Sequence, residues 1–238
     1  MDAAQNTHIR LEREGALAII TLDGPSKRNA LGADARGALR ATVQQVMYHE
    51  PDVRAIVLTG AGGHFCAGAD VQQFTKNSRV RGRFNVSQSG ETMSELAGGP
   101  KPVVAAVEGI AYGMGLSFAV ACDLLVAARN ARLCAVFARI GLLPDTGILW
   151  SLPKKIGMNH AREMLTLARE VGGEEALSMG LVNQLVEPGQ ALQEAKKLAL
   201  ELAELPPLAV AHTKSALTWR GESFHDSLRA ELDCGAGR

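Results

Sequence analysis

The chain has 238 residues, of which 47% are hydrophobic and 21% charged, which indicates a well-packed globular domain and excludes a disordered polypeptide. Its 25 basic residues balance its 25 acidic ones and only 4% are aromatic, so the sequence offers neither a charge field nor stacking platforms for nucleic acid, and no field for an anionic membrane. The four cysteines lack zinc-binding or redox spacing, and the charged N-terminus does not resemble a signal peptide, which predicts a cytoplasmic protein with reduced thiols, no metal and no membrane span.

Short apolar runs separated by turns fill the first half of the chain and predict an α/β domain with helices packed on a sheet. Strands are expected at 16–22, 55–59, 103–107, 123–128 and 132–137, and helices at 33–48 and 113–121. The polar segment 71–99 predicts a solvated surface loop.

From residue 148 onward the pattern is helical, with proline and glycine at several boundaries. Helices are expected at 158–168, 173–179, 191–202, 207–218 and 224–232. We therefore divide the chain into a core domain over residues 1–190, which carries the candidate site, and a helical C-terminal region over residues 191–238.

Two turns of small residues follow strand-like runs and are the strongest candidates for a site. The first is FCAGAD at 65–70 and the second is GIAYGMG at 109–115. Small side chains allow the backbone to approach a ligand closely and to point its N–H groups outward. Two such turns can direct two N–H groups at one oxygen, which is the geometry of an oxyanion hole.

A single carboxylate, Asp145, stands in a run of apolar and turn residues at 141–147. Apolar neighbours would raise the pKa of this carboxyl group and make it a better base near neutral pH. The alternative is structural, because aspartate is a favoured cap residue and a helix is expected to begin near Ile148. A base placed beside two N–H donors would suit enolate chemistry on a carbonyl compound.

Two motif-like segments carry weaker signals. GAGGHF at 60–65 fails as a dinucleotide fingerprint, because Phe65 takes the place of the third glycine and no acid follows about 20 residues later. Ser117 lies near a nucleophile-elbow pattern but falls inside an expected helix, so a packed helical serine is favoured.

Three basic side chains are further candidates for a functional role. His64 is the one histidine with a claim to the site, although a structural role is favoured for it. Lys27 and Arg28 follow the first strand, where two adjacent cations would either bind a phosphate group or form an ordinary charged turn.

These segments together resemble the crotonase superfamily, the enoyl-CoA hydratase/isomerase group, and nearly the whole chain shares the order of its motifs. The matching segments are SKRNAL at 26–31, FCAGAD at 65–70, KPVVAAVEGIAYGMG at 101–115, CDLLVAA at 122–128, FARIGLLPDTG at 137–147 and GLV at 180–182. The resemblance implies a ββα spiral core with a helical C-terminal region, an acyl-CoA thioester substrate, and a homotrimer or dimer of trimers. Coenzyme A would enter as part of the substrate, without a separate cofactor.

The same resemblance assigns roles to individual residues. It places the two oxyanion-hole N–H groups on Ala69 and Met114 and the catalytic acid–base role on Asp145. The substrate-binding positions that it implies are Lys27, Arg28, Ala30, Ala67, Asp70, Gly113 and Phe137. Gly113 opens a helix whose N-terminal dipole would favour developing negative charge.

The chain departs from the hydratases of this family at two positions. Where those enzymes carry a pair of glutamates, this sequence has Ser117 and Phe137. Hydration needs a base to activate water and an acid to protonate the α-carbon, and serine and phenylalanine cannot supply that pair. Asp145, in contrast, matches the acid found after I-G-L-x-P in the isomerase branches.

The leading expectation is therefore an enoyl-CoA isomerase with Asp145 as base, and the alternative is an enoyl-CoA hydratase. Two further alternatives are an aroyl-CoA hydrolase or dehalogenase with Asp145 as nucleophile, and a catalytically silent acyl-CoA-binding subunit. Family members commonly continue beyond the final helix, and the sequence leaves open whether the C-terminal region is complete at residue 238.

Overall fold

The computed structural model describes residues 6–71 and 79–219, with the backbone alone at 79–88 and at 219. The strands are β1 (His8–Glu14), β2 (Leu17–Asp23), β3 (Ala55–Gly60), β4 (Val103–Val107), β5 (Ile110–Tyr112), β6 (Leu124–Ala128), β7 (Arg132–Cys134), β8 (Glu170–Gly172) and β9 (Gln184–Val186). The helices are α1 (Ala33–His49), α2 (Arg79–Gly98), α3 (Met114–Ala121), α4 (Ile148–Leu167), α5 (Gly173–Ser178), α6 (Ala191–Glu204) and α7 (Pro207–Trp219). Short 3-10 helices cover Pro25–Lys27 and Val136–Ile140.

Two sheets form the α/β core. The larger has six strands in the order β1-β2-β3-β4-β6-β9, in which β1 pairs antiparallel with β2 and all other neighbours are parallel. The smaller has three strands in the order β5-β7-β8, with β5 and β7 parallel. This arrangement confirms the expected α/β class, with helices packed on a mostly parallel sheet.

Along the central strands, successive side chains point alternately into two separate hydrophobic cores. In β2, Leu17 and Ile19 face α6, whereas Ile20 and Leu22 face the larger core shared with α1 and α3. Four alanines spaced four residues apart on α6 allow that helix to lie close to the sheet. They are Ala191, Ala195, Ala199 and Ala203.

Most predicted elements lie within a few residues of their expected positions, but the loop expected over 71–99 is wrong for residues 79–98, which form a helix. Its described part contains α2, which packs against α1, α3 and α7. The buried face of α2 includes Ser89 and Thr92 beside Met93 and Leu96. These small polar residues interrupt the helical spacing of apolar residues, so the sequence pattern did not predict the helix. Packing against other parts of the fold, rather than that spacing, stabilises it.

Two further differences concern strands. Strand β1 was not predicted, because its side chains are mostly exposed and charged at the edge of the sheet. The strand expected over 132–137 ends at Cys134 and is followed by the 3-10 helix at Val136–Ile140. The helix expected at 224–232 lies outside the described residues, and within them no helix has both the length and the apolar character needed to cross a membrane.

A buried ion pair attaches α7 to the core. The Lys214 ammonium, 5% exposed, donates to Asp123 Oδ2 at 2.8 Å and to the Lys101 carbonyl at 2.9 Å. Asp123 also accepts the Val103 N–H at 2.7 Å. Since Asp123 lies two residues after the end of α3, α7 is tied to the end of that helix and to the start of β4.

The fully buried amide of Asn29 joins the turn after β2 to the loop after β3. Its Nδ2 donates to the carbonyls of Ala61 and His64 at 2.9 and 2.7 Å and to that of Phe65 at 3.2 Å. Its Oδ1 accepts the Gly24 N–H at 2.9 Å. The residue adopts φ 60°, a left-handed conformation that asparagine tolerates better than most residues.

We expect Asn29→Ala to lower the free energy of unfolding by about 3 kcal/mol, because the buried groups around the amide would lose their partners. For a chain of this size the loss corresponds to a fall in Tm of about 6–12 °C. Asn29→Gly tolerates the positive φ and therefore separates the lost hydrogen bonds from backbone strain. The exposed Asn130→Ala is the matched control and should leave Tm nearly unchanged; an equally small effect at Asn29 would contradict the assignment.

Candidate active site

The two small-residue turns lie side by side at the ends of parallel strands. Isolated parallel bridges join Leu31 to Ala69 and Cys66 to Ala111, so the segment around residue 31, the first turn and β5 are adjacent. The Tyr112 N–H donates to the Cys66 carbonyl at 2.9 Å. The sequence prediction that these turns meet is therefore consistent with their observed backbone pairing.

The N–H of Ala69 points away from its neighbouring strand segment. Leu31 donates to the Gly68 carbonyl at 2.8 Å and accepts the Asp70 N–H at 3.1 Å. Because successive N–H groups of extended backbone point to opposite sides, the Ala69 N–H faces the other way.

The second N–H belongs to Met114, the first residue of α3. N–H groups in the first turn of a helix have no intrahelical acceptor, and the N-cap residue Gly113 has no side chain to provide one. Within residues 6–71 and 79–219, neither the Ala69 N–H nor the Met114 N–H has a hydrogen-bond acceptor. The helix dipole adds partial positive charge at Met114.

Two glycines allow the turns to approach this closely. Gly68 has φ 101°, and a Cβ placed there would lie 2.9 Å from the Tyr112 carbonyl oxygen and 3.6 Å from the Met114 nitrogen. A Cβ on Gly115 would lie 2.6 Å from the Cys66 carbonyl oxygen. Any side chain at either position would push the first turn away from α3.

Asp145 lies in the loop before α4 and does not cap that helix. The N-cap position is Gly147, without a side-chain hydrogen bond, and the Asp145 Oδ1 accepts a bond from the Thr146 hydroxyl at 2.9 Å. Thr146 is buried and adopts φ 55°, a strained conformation for a β-branched residue. Such strain is frequent at functional sites, and the structural alternative of a helix cap is not what the structure shows.

Burial is the main influence on the Asp145 carboxyl group and raises its pKa above the ordinary aspartate value. The Thr146 hydrogen bond and the positive charge of Arg36 act in the opposite direction. The five apolar residues that flank Asp145 were expected to cause this burial, but all of them except Ile148 face solvent. These four are Ile140, Leu142, Leu143 and Leu149. The direction of the shift was thus predicted correctly but for the wrong reason.

The predicted coenzyme A turn contains one internal ion pair. Lys27 Nζ donates to Asp70 Oδ2 at 2.9 Å, so these two expected ligand-binding residues contact each other. The neighbouring Arg28 is exposed, in a left-handed conformation, and forms no ion pair with a described residue. The turn therefore presents Arg28 as its available cation.

Some backbone groups of the same turn already form hydrogen bonds within the protein. The Ala67 N–H donates to the Arg28 carbonyl at 2.9 Å and the Asp70 N–H to Leu31, while the Ala30 carbonyl accepts the Thr7 hydroxyl at 2.6 Å. Ligand contacts at Ala67 and Asp70 would consequently involve carbonyl oxygens rather than N–H groups.

Sequence comparison identifies the group of proteins to which this chain is related. The sequence model described as "Enoyl-CoA hydratase/isomerase" matches residues 12–232. The chain belongs to the enoyl-CoA hydratase/isomerase family. It is an acyl-CoA-processing enzyme of the crotonase superfamily, as the resemblance of its motifs implied.

Individual relatives support the same assignment. The chain is 33% identical to the short-chain-enoyl-CoA hydratase of Clostridium acetobutylicum over 211 residues, which cover 88% of this chain and 80% of that one. It is 37% identical to a probable enoyl-CoA hydratase of Rhodobacter capsulatus over 208 residues, covering 87% and 80%.

Solved structures of enoyl-CoA hydratases share the fold. The enzyme from Polaromonas sp. superposes with a TM-score of 0.90 at 32% identity, covering 96% of this chain and 90% of that one. A putative enoyl-CoA hydratase from Streptomyces coelicolor gives 0.91 at 34% identity, covering 96% and 85%. These similarities confirm the crotonase-like fold.

The two positions at which hydratases of the enoyl-CoA hydratase/isomerase family carry glutamates hold no acid here. Ser117 is fully buried within α3, and its hydroxyl donates to the Gly113 carbonyl at 3.2 Å. Phe137 is 5% exposed in the 3-10 helix. Ser117 is therefore a packed helical serine, as predicted.

Some other side chains near the turns have structural roles, and some were not predicted from the sequence. His64 Nδ1 accepts the Ile110 N–H at 3.4 Å, which fits its predicted structural role. Burial raises the pKa of the Cys66 thiol to about 12, which makes it a poor nucleophile. The roles of Asn29 and Arg36 were not predicted from the sequence; for Arg36, a charge on the same helical face as Leu39 was the available signal.

An apolar cavity of about 200 Å³ lies beside the Asp145 loop, between α2 and α4. Its lining includes Met93, Ala97, Gly147 and Trp150. Gly147 approaches Met93 so closely that a Cβ there would lie 2.2 Å from the Met93 sulfur. Within the described residues, no three metal-binding side chains are grouped together.

Proposed function

We propose that this protein is an enoyl-CoA isomerase that shifts a double bond through a thioester enolate. The observation that carries the proposal is a partly buried carboxylate, Asp145, in a strained loop, together with the N–H groups of Ala69 and Met114, neither of which has an acceptor among the described residues. The absence of acids at positions 117 and 137 favours proton transfer over the addition of water.

In the proposed reaction the Asp145 carboxylate removes a proton from the α-carbon of a 3-enoyl thioester. The electron pair of the broken C–H bond delocalises onto the thioester oxygen, which the N–H groups of Ala69 and Met114 stabilise. The protonated Asp145 then returns the proton to the γ-carbon, which forms the 2-enoyl product and regenerates the carboxylate. No cofactor takes part, because coenzyme A enters as the substrate's own thiol ester.

Asp145→Asn should lower kcat for a 3-enoyl-CoA by at least about 10³-fold, because the amide cannot accept the α-proton. Formation of the conjugated 2-enoyl thioester provides a direct spectrophotometric assay. Binding of the coenzyme A ester, measured by calorimetry, should change little. Asp34→Asn removes an exposed carboxylate from the first turn of α1 and serves as the matched control with unchanged turnover.

Turnover of Asp145→Asn within a few-fold of the wild type would overturn the proposal. Tight binding of several coenzyme A esters by the wild type, with conversion of none in a panel read by chromatographic separation of isomers and by mass spectrometry, would instead indicate a silent binding subunit. Incorporation of ¹⁸O from labelled water into Asp145 during a single turnover would indicate a covalent ester and hydrolytic chemistry.

Hydration is the second candidate function, because the relatives reported above carry the name enoyl-CoA hydratase or probable enoyl-CoA hydratase. Mass spectrometry of a crotonyl-CoA incubation measures the gain of water, and the absorbance of the conjugated 2-enoyl thioester measures isomerisation of a 3-enoyl-CoA. On the proposed mechanism isomerisation is much the faster reaction.

For coenzyme A recognition, Arg28→Ala should raise KM for a coenzyme A ester by about tenfold or more and leave kcat nearly unchanged. A charge-assisted contact to phosphate acts equally on the ground and transition states, so its loss appears as weaker binding. A truncated pantetheine thioester lacks the nucleotide phosphates and should be affected little. Arg10→Ala, at the exposed edge strand, is the matched control; equal losses on both substrates would contradict the assignment.

We propose further that the protein forms a homotrimer or a dimer of trimers. Large apolar side chains are exposed on consecutive segments at the start of α4 and before it, with exposed fractions of 76% for Leu143 and 52% for Leu149. Exposed apolar patches of this kind commonly form protein interfaces.

Light scattering should therefore give a mass of about three or six times 25.2 kDa. Leu143→Asp should reduce that mass, because it would place a charge in the interface. Leu208→Asp alters a 66% exposed leucine of α7 outside this surface and should not. A monomeric wild type at micromolar concentration would be the contradictory result.

A further inference from the structure

Helix α2 joins the candidate site to the apolar cavity between α2 and α4. Ser89, Met93 and Ala97 are spaced four residues apart and therefore share one face of this helix. The buried Ser89 hydroxyl donates to the Met114 sulfur at 3.9 Å, so the start of this face contacts the residue that carries one of the two N–H donors. Ala97, about two turns later, lines the cavity.

The opposite wall of the cavity belongs to the segment that carries Asp145. Gly147, two residues after Asp145, lines the cavity together with Trp150 of α4. Met93 occupies the space beside Gly147, where an added Cβ would lie 2.2 Å from the Met93 sulfur. The cavity therefore adjoins the loop of the proposed base and is continuous with the candidate site.

The walls of the cavity suit a hydrocarbon group. None of the residues that line it in the described part of the chain carries a charge, and these residues are Gly90, Met93, Ser94, Ala97, Gly147 and Trp150. The Lys154 ammonium lies 3.7 Å from the centroid of the Trp150 ring and donates to the Thr218 carbonyl at 3.4 Å, which restricts the position of that ring. Such walls favour an apolar occupant, because a buried polar group without partners costs free energy.

Two small residues of α2 leave the space of the cavity open. A Cβ added to Gly90 would meet no described atom within 4 Å, and the half-buried Ala97 contributes only a methyl group. The cavity has a volume of about 200 Å³. Because an apolar cavity of about 150 Å³ is enough to bind one benzene ring, this one has room for roughly six to eight carbon atoms.

The proposed reaction determines where the tail of a substrate would begin. Asp145 exchanges a proton with both the α-carbon and the γ-carbon, so the γ-carbon must lie beside this carboxylate. Any carbons beyond it leave the reacting centre from the Asp145 loop. That loop leads through Gly147 into the wall of the cavity.

We propose that the cavity between α2 and α4 binds the hydrocarbon tail of the acyl-CoA substrate beyond the γ-carbon, and that Gly90 and Ala97 are specificity-determining residues for its length. The substrate class is accordingly a 3-enoyl-CoA with an unbranched tail of about six carbons. The direction of the tail from the reacting carbons rests on the proposed function, whereas its binding can be measured without turnover.

The test compares two substrates that differ only in their tails. 3-Decenoyl-CoA has a tail of the proposed size beyond the γ-carbon, and 3-butenoyl-CoA has none. Each methylene group that moves from water into an apolar site improves binding about fourfold. The wild type should therefore isomerise 3-decenoyl-CoA with a kcat/KM at least about 100-fold higher than that for 3-butenoyl-CoA, even if the tail is only partly buried.

Two variants fill the cavity. Ala97→Leu and Gly90→Leu should each reduce the preference for the long substrate by at least about tenfold and leave kcat/KM for 3-butenoyl-CoA within about twofold of the wild type. Ala41→Leu makes the same change as the first variant at an exposed alanine of α1, and as the matched control it should leave the preference unchanged. Two filling variants are used so that misfolding of one leaves the other to decide.

Calorimetry with saturated thioesters measures binding of the tail separately from turnover. Decanoyl-CoA should bind to the wild type more tightly than butyryl-CoA by a factor similar to the kinetic preference. Both filling variants should lose most of this difference, and Ala41→Leu should retain it.

The outcomes separate this proposal from the proposed function. Isomerisation without a length preference, or a preference that both filling variants retain, would overturn the tail site and leave the isomerase standing. A binding preference that the filling variants lose, without isomerisation of either substrate, would support the tail site and count against Asp145 as the base. An equal loss with both substrates would also overturn the tail site, and a simultaneous change of mass in light scattering would show that a second copy of the chain covers the cavity.

Discussion

The side-chain amide of Asn29 is the interaction on which the arrangement of the candidate site depends. Its amide and carbonyl groups bind four backbone groups, which come from the turn after β2 and the loop after β3. Both the Lys27–Arg28 turn and the turn that carries Ala69 start from this anchor. Since those backbone groups are buried, only a small side chain with donors and an acceptor in one plane can satisfy them together.

Helix α3 is held at both ends by different means. At its start, Gly113 donates to the Cys134 carbonyl at 2.9 Å, and close contacts with the first turn fix the position of Met114. At its end, Lys155 Nζ donates to the carbonyls of Cys122 and Asp123 at 2.8 and 3.2 Å. A cation at the C-terminus of a helix is favourable, and here it also restricts the direction in which the N-terminus points.

The sequence pattern predicted correctly those features of the fold that depend on residues near one another in the chain. Runs such as AIVLT and VVAAV form buried parallel strands because β-branched and apolar side chains suit a sheet covered on both faces. The two turns were predicted because glycine at these positions permits the backbone conformation and the close backbone approach that each turn needs. Helix α2 was missed because Ser89 and Thr92 are buried by partners distant in the sequence.

The environment of Asp145 shows the same division between local and tertiary effects. Its loop neighbours suggested apolar surroundings, yet most of those side chains face outward, and the charge that acts on it comes from α1, more than one hundred residues earlier in the chain. The effect of the Arg36 charge on the pKa of Asp145 comes from a helix that is distant in the sequence, which no spacing within either segment reveals. The position of the carboxylate was therefore accessible from the sequence, whereas the origin of its electrostatics was not.

The two N–H groups that have no acceptor in the described part of the chain belong to the main chain, and every residue type except proline supplies the same donor. Substitution of the Ala69 or Met114 side chain thus leaves the donors in place, provided that Gly68 and Gly115 still allow the close approach of the turns. Acidic side chains, in contrast, can appear or vanish by single substitutions on the fixed elements around these donors. A scaffold of this kind can acquire a different reaction by relocating one carboxylate, while its capacity to hold a negatively charged oxygen persists through the change.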